Sequence, residues 1–178
     1  MQDQVRALLV DQLKDAYSAE RQALKCMQKT LRKVTAPMLK EGIQLHIEQT
    51  ETQIERVEQA LEAMGARPGR KVCEAMRGLV EEATHEIEEH EKGPVMDLVI
   101  VAGMQRIEHY EIAAYGTDVA LADALGEQDV AALLRQTLEE EKQTDQKLTE
   151  VTRQELMAAA MGGEGQNDNK PTSRRKAG

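Results

Sequence analysis

Glu108 and Glu111 stand three residues apart in IEHYEIAAYG, residues 107–116, with His109 and Tyr110 between them. On a helix, residues three apart share a face. Apolar side chains crowd both flanks, DLVIVAGM before and an alanine-rich run after. Burying a carboxylate among them is costly unless a partner, a proton or a metal compensates.

Helical phase, at ~100° per residue, selects the acids that share this situation. Glu20 falls inside the stripe of Leu9, Leu13, Ala16, Leu24 and Met27. Glu141 sits among Leu134, Leu138, Leu148 and Thr152, with Asp145 one turn on, while Glu139 and Glu140 point elsewhere and read as surface. Glu108 shares a stripe with Leu98, Val101, Ile112 and Val119, and Glu111 lies at its edge. In the second helix two criteria disagree. Distance from the turn selects Glu51, opposite Glu20. Phase along Leu39, Ile43, Ile54, Val57 and Leu61 points His46, Thr50 and Gln53 inward and leaves Glu51 at the edge.

A cluster of buried carboxylates repels itself unless cations occupy it, and oxygen-rich sites with an occasional imidazole suit iron, manganese or magnesium rather than structural zinc. The expected ligand set is Glu20, Glu51, Glu108, Glu111 and Glu141, completed by Asp145 or His46. Helical bundles commonly build dimetal sites from glutamates and Glu-x-x-His pairs. The four long helices of this chain have no Glu-x-x-His. Tyr17 and Tyr115 lie a turn from Glu20 and Glu111 respectively, where a tyrosine fills space or bonds a carboxylate.

The elements that must carry these residues are helices. Apolar spacings of three and four run through residues 3–34, to about 64, and through 73–91, 95–124 and 129–160. The breaks are Thr35-Ala36-Pro37, Gly65 with Pro68-Gly69, Gly93-Pro94 and Gly126. Short breaks between long helices make antiparallel hairpins, and two hairpins joined by a crossover of roughly 30 residues give a ferritin-like four-helix bundle with an extra short helix. The bundle is expected over residues 1–161, with a disordered polar and basic tail over 162–178. The 178 residues include no Phe, no Trp and three Tyr, so Leu, Ala, Val, Ile and Met must fill the core.

Cys26 and Cys73 match no metal or redox spacing, and no apolar span approaches the ~20 residues of a membrane helix, so a reduced cytoplasmic protein is expected. A net charge of −9 and the lack of an aromatic platform argue against nucleic acid; the basic tail is only a weak hint of it.

AYSAERQAL (16–24), HIEQTETQIERVEQ (46–59), IEHYEIAAYG (107–116) and TLEEEKQTDQKLTEV (137–151) resemble the YciE/YciF-type ferritin-like stress proteins over nearly the whole chain except the tail. The resemblance implies a rubrerythrin-like bundle with an additional helix, a homodimer and a di-iron centre. Together these readings give a stress-response protein whose iron or manganese centre acts on oxygen or peroxide, its electron donor unknown. The alternative is a non-enzymatic scaffold without a working metal site.

Overall fold

Pro37, Gly65, Gly93-Pro94 and Gly126 cut the chain where the sequence predicts. The computed structural model describes residues 1–162, and the expected tail falls almost entirely outside them. Five helices carry the fold: α1 (Gln2–Thr30), α2 (Pro37–Ala63), α3 (Glu74–Glu88), α4 (Pro94–Leu125) and α5 (Gln128–Val151). Pro37 and Pro94 sit in first turns, where a missing N–H costs nothing. Gly126 closes α4 at φ 75°, a left-handed conformation open to glycine without a Cβ penalty.

The last helix departs from the expected single run over 129–160. After Val151 comes a π-helical turn, Thr152–Leu156, and then a short α6 (Met157–Ala160). The wider turn buries Leu156 and brings Glu155 Oε2 to within 3.0 Å of the Met38 amide, which donates to it. This matters because Ala36, at the N-cap of α2, offers no side-chain acceptor. Asp97, near the start of α4, does the rest. Its carboxylate accepts from the Thr35 amide at 2.9 Å, the Ala36 amide at 2.8 Å and the Thr35 hydroxyl. Asp97 is wholly buried and fully satisfied.

The four long helices form a square in which α1 packs on α2 and α4, and α5 on the same two. Neighbours run antiparallel, the up-down-down-up order of a ferritin-like bundle. The crossover helix α3 lies outside, against α4 and α1. Gly103 permits that approach, since a Cβ there would lie 2.9 Å from the Ala83 Cβ.

Aliphatic side chains fill the core in separate masses. Met27, Leu39, Ile43, Met96, Ile100 and Leu148 pack at one end, and Leu9, Leu13, Val57, Leu61, Ala122 and Leu134 at the other. Between them the bundle interior turns polar. Among the described residues no helix is long and apolar enough to cross a membrane.

Candidate metal centre

The polar layer takes residues from all four bundle helices. On α2 the buried line is Leu39, Ile43, His46, Thr50, Gln53, Val57 and Ala60. These residues recur at alternating steps of four and three, so the imidazole arrives by strict helical phase. On α4 the inward line is Glu108, Glu111, Tyr115, Asp118 and Ala122. Glu20 comes from α1 and Glu141 from α5. These four glutamates and His46 are each at most 2% exposed.

His46, Glu108 and Glu141 each present a ligand atom within 4.8 Å of the others. His46 Nε2 lies 3.1 Å from Glu108 Oε1 and 3.6 Å from Glu141 Oε2. Its other ring nitrogen, Nδ1, is 3.3 Å from the Thr144 hydroxyl, which fixes the ring with Nε2 toward the acids. Tyr115 donates its hydroxyl to Glu20 Oε1 at 2.5 Å.

Many carboxylate oxygens here have no partner. Glu108 Oε2, Glu111 Oε1 and both oxygens of Glu141 are buried and make no hydrogen bond, as does Gln53 Oε1 beside them. Burial pushes Glu20 up to about 8; the Glu141 charge adds to this, while Tyr115, His46 and Arg56 oppose it. Burial likewise carries Glu108 to about 8, with the neighbouring Glu141 carboxyl opposing and the Glu20 and Asp145 charges adding. Glu111 stands well above its ordinary value through burial and the charges of Glu20, Glu141 and Glu108. Glu141 is raised in the same way, by burial and then by Glu108.

Two expected ligands are elsewhere. Glu51 is exposed on the outer face of α2, because one residue is ~100° of rotation and Thr50 and Gln53 already occupy the inward positions. The matching height of Glu51 and Glu20 is real, but height does not set direction. Asp145 stands at the rim, its side chain 23% exposed, accepting from Gln105 Nε2 at 2.9 Å and 3.3 Å from the exposed His109. Glu140, read as surface, also turns inward. Arg56 donates to both its oxygens, at 2.6 and 2.8 Å, and Gln53 adds a third bond at 3.1 Å. Burial raises Glu140, but Arg56 outweighs it and holds the carboxyl below its ordinary value. Sequence reasoning missed Arg56 and Thr144, although Arg56 sits three residues after Gln53 and Thr144 three after Glu141, spacings that mark shared faces.

The donor set fits a hard or borderline metal ion. His46, Glu108 and Glu141 converge with Glu20 and Glu111 buried in the same layer, and four of the carboxylate oxygens, on Glu108, Glu111 and Glu141, make no bond to the protein.

The family described as a domain of unknown function, DUF892, matches residues 4–161. The chain belongs to this family. Protein YciF of Escherichia coli (strain K12) is 43% identical over 148 residues, which cover 83% of this chain and 89% of YciF. The crystal structure of the E. coli stress protein YciF matches with a TM-score of 0.80 at 40% identity, over 88% of this chain and 97% of that one. YcfI of Rhodopseudomonas palustris matches at 0.79 and 39% identity, over 82% and 92%. Ferritin-like, diiron-carboxylate proteins of Bacillus anthracis str. Ames match at 0.65 and 13% identity, over 83% and 96%, a likeness of fold alone. This DUF892 chain is thus a ferritin-like helical protein with a stress-protein relative.

Proposed function

We propose that this ferritin-like protein binds two iron or manganese ions in the carboxylate layer and uses them on oxygen or peroxide as part of a stress response. One observation carries the reading. The fold shows at Asp97 how it satisfies a buried carboxylate, with three hydrogen bonds, and withholds this from Glu108, Glu111 and Glu141. Buried acids left without partners cost stability unless something else binds them.

Bound there, iron or manganese would supply redox chemistry toward oxygen or peroxide. The residues supply the rest. His46, held by Thr144, offers an imidazole nitrogen among the carboxyl groups. Tyr115 fixes one oxygen of Glu20 and leaves the other free. The raised glutamates hold protons until a cation displaces them, so loading releases protons. The aliphatic masses on either side keep bulk water from the layer. A competing reading, a scaffold with no working centre, draws on the single imidazole, where two Glu-x-x-His pairs would supply two. The homodimer rests on the resemblance alone.

Metal content decides between the readings. After anaerobic loading with Fe²⁺ or Mn²⁺ and removal of excess, ~2 ions per chain are expected, as in carboxylate dimetal bundles. His46→Ala and Glu141→Gln should each lower that number. A metal content near zero, with no stabilisation by either ion, sinks the proposal and leaves the scaffold.

A further inference from the structure

α4 carries one more buried acid without a partner than the centre uses. Asp118 follows Glu111 by seven residues on the same inward line, ~10 Å along the helix axis, with Tyr115 between them. It is 1% exposed, and neither of its oxygens has a hydrogen-bond partner. Burial and then the charge of Asp15 push it up to about 7. Nothing in the packing calls for an acid here. An apolar residue would avoid leaving two buried oxygens bare.

Asp15, whose charge reaches Asp118, is the inner of two acids on α1 that grade toward solvent. Asp15, on α1, has a side chain 22% exposed, and Asp11, one turn earlier, 58%. Asp15 Oδ2 accepts the Tyr110 hydroxyl at 2.7 Å. A cation already sits at the outer end: Lys71 Nζ lies 2.5 Å from Asp11 Oδ2 and 3.9 Å from Asp15 Oδ1. The acids therefore run from solvent, past an ammonium group, to a bare carboxyl two helical turns from Glu111.

We propose that Asp11, Asp15 and Asp118 form a separate transit site for divalent cations, an antechamber through which iron or manganese reaches the buried centre. This rests on the metal-binding reading above. Charges of one sign lining a low-dielectric passage concentrate the opposite ion and raise its rate of capture, while final occupancy is set by the centre itself. Lys71 holds the mouth until a divalent ion, with twice its charge, takes its place. Tyr115 stands between Asp118 and the glutamates, with its hydroxyl already on Glu20.

The test is the rate of Mn²⁺ uptake by the full chain, followed by rapid-mixing EPR as the six-line signal of hydrated Mn²⁺ disappears. Asp118→Asn and Asp15→Asn keep the side-chain shape and remove the charge. Each should slow uptake about tenfold or more, as loss of electrostatic focusing does, with the final amount of tightly bound Mn²⁺ unchanged. Lys71→Gln should speed it, and the exposed Glu139→Gln should leave it alone. Wild-type rates in both aspartate variants overturn the transit site while leaving the centre standing. A lower final amount in Asp118→Asn also overturns it, because Asp118 then belongs to the centre. A wild-type chain that takes up no Mn²⁺ overturns the centre and the transit site together.

Discussion

Replacing Glu141 by Gln in the metal-free protein tests whether the buried acids are held against their chemistry. Glu141 is 0% exposed with both oxygens unpartnered, and burial, followed by the Glu108 charge, lifts it well above 4.5. The unfolded chain releases this proton above pH 4.5, while the folded chain holds it to higher pH. Folding thus retains a proton that unfolding frees, so stability is full below pH 4.5 and falls as pH rises above it. Each pH unit over which the folded chain keeps a proton the unfolded chain has lost costs ~1.4 kcal/mol. Gln does not titrate, so the variant escapes that loss. An unpaired buried amide costs ~1–3 kcal/mol, but equally at both pH values. The informative quantity is therefore the change between pH 4.5 and 7, not either stability alone. For a domain of this size, ~1.4 kcal/mol corresponds to a melting shift of about 3–6 °C for each such pH unit. Thermal melts with chelator present should show wild type losing that much more than Glu141→Gln across the window. Glu139→Gln, exposed and bonded only to Gln143, is the control and should follow wild type. Glu140 cannot serve, because it holds Arg56. If the two variants respond alike to pH, Glu141 is not a buried acid of this kind and the case for a metal layer loses its footing.

Two further outcomes concern the frame around the centre. Arg56→Met strands Glu140 beside the layer and should cost about 3 kcal/mol or more by denaturant titration, as breaking a buried ion pair does; Glu140→Gln, which leaves the arginine partly bonded, should cost less. Gly103→Ala places a methyl 2.9 Å from the Ala83 Cβ and should cost ~1–3 kcal/mol, seen first as faster hydrogen exchange in α3.

The helices were legible because their apolar spacing and their Pro and Gly breaks agree at every joint. Glu20, Glu108 and Glu141 were legible for the same reason: each interrupts an apolar line. Helix two shows where such reading stops. His46, Thr50 and Gln53 were in phase, yet the equal depth of Glu51 was persuasive, and only a packed α2 decides which of two criteria holds. Arg56 and Glu140 were hidden for another reason. Each looks like an ordinary surface charge in sequence, and they turn inward because they lie opposite one another on antiparallel α2 and α5. Asp97 and Glu155 serve amides 61 and 117 residues away, a pairing that no local pattern announces.

That last pairing bears on how the chain is made. The first hairpin leaves the ribosome before the second, yet the amides at its turn are answered by Asp97 and Glu155, which emerge later, Glu155 near the end of the bundle. Until then α2 has a frayed start, and its inner face, with His46, Thr50 and Gln53, has no opposite wall. Folding therefore concentrates in a late, non-local step, which slows with sequence separation and exposes half-built chains to association. A chain cut after Val151 would keep every glutamate of the centre and lose Glu155, the residue that finishes the first turn.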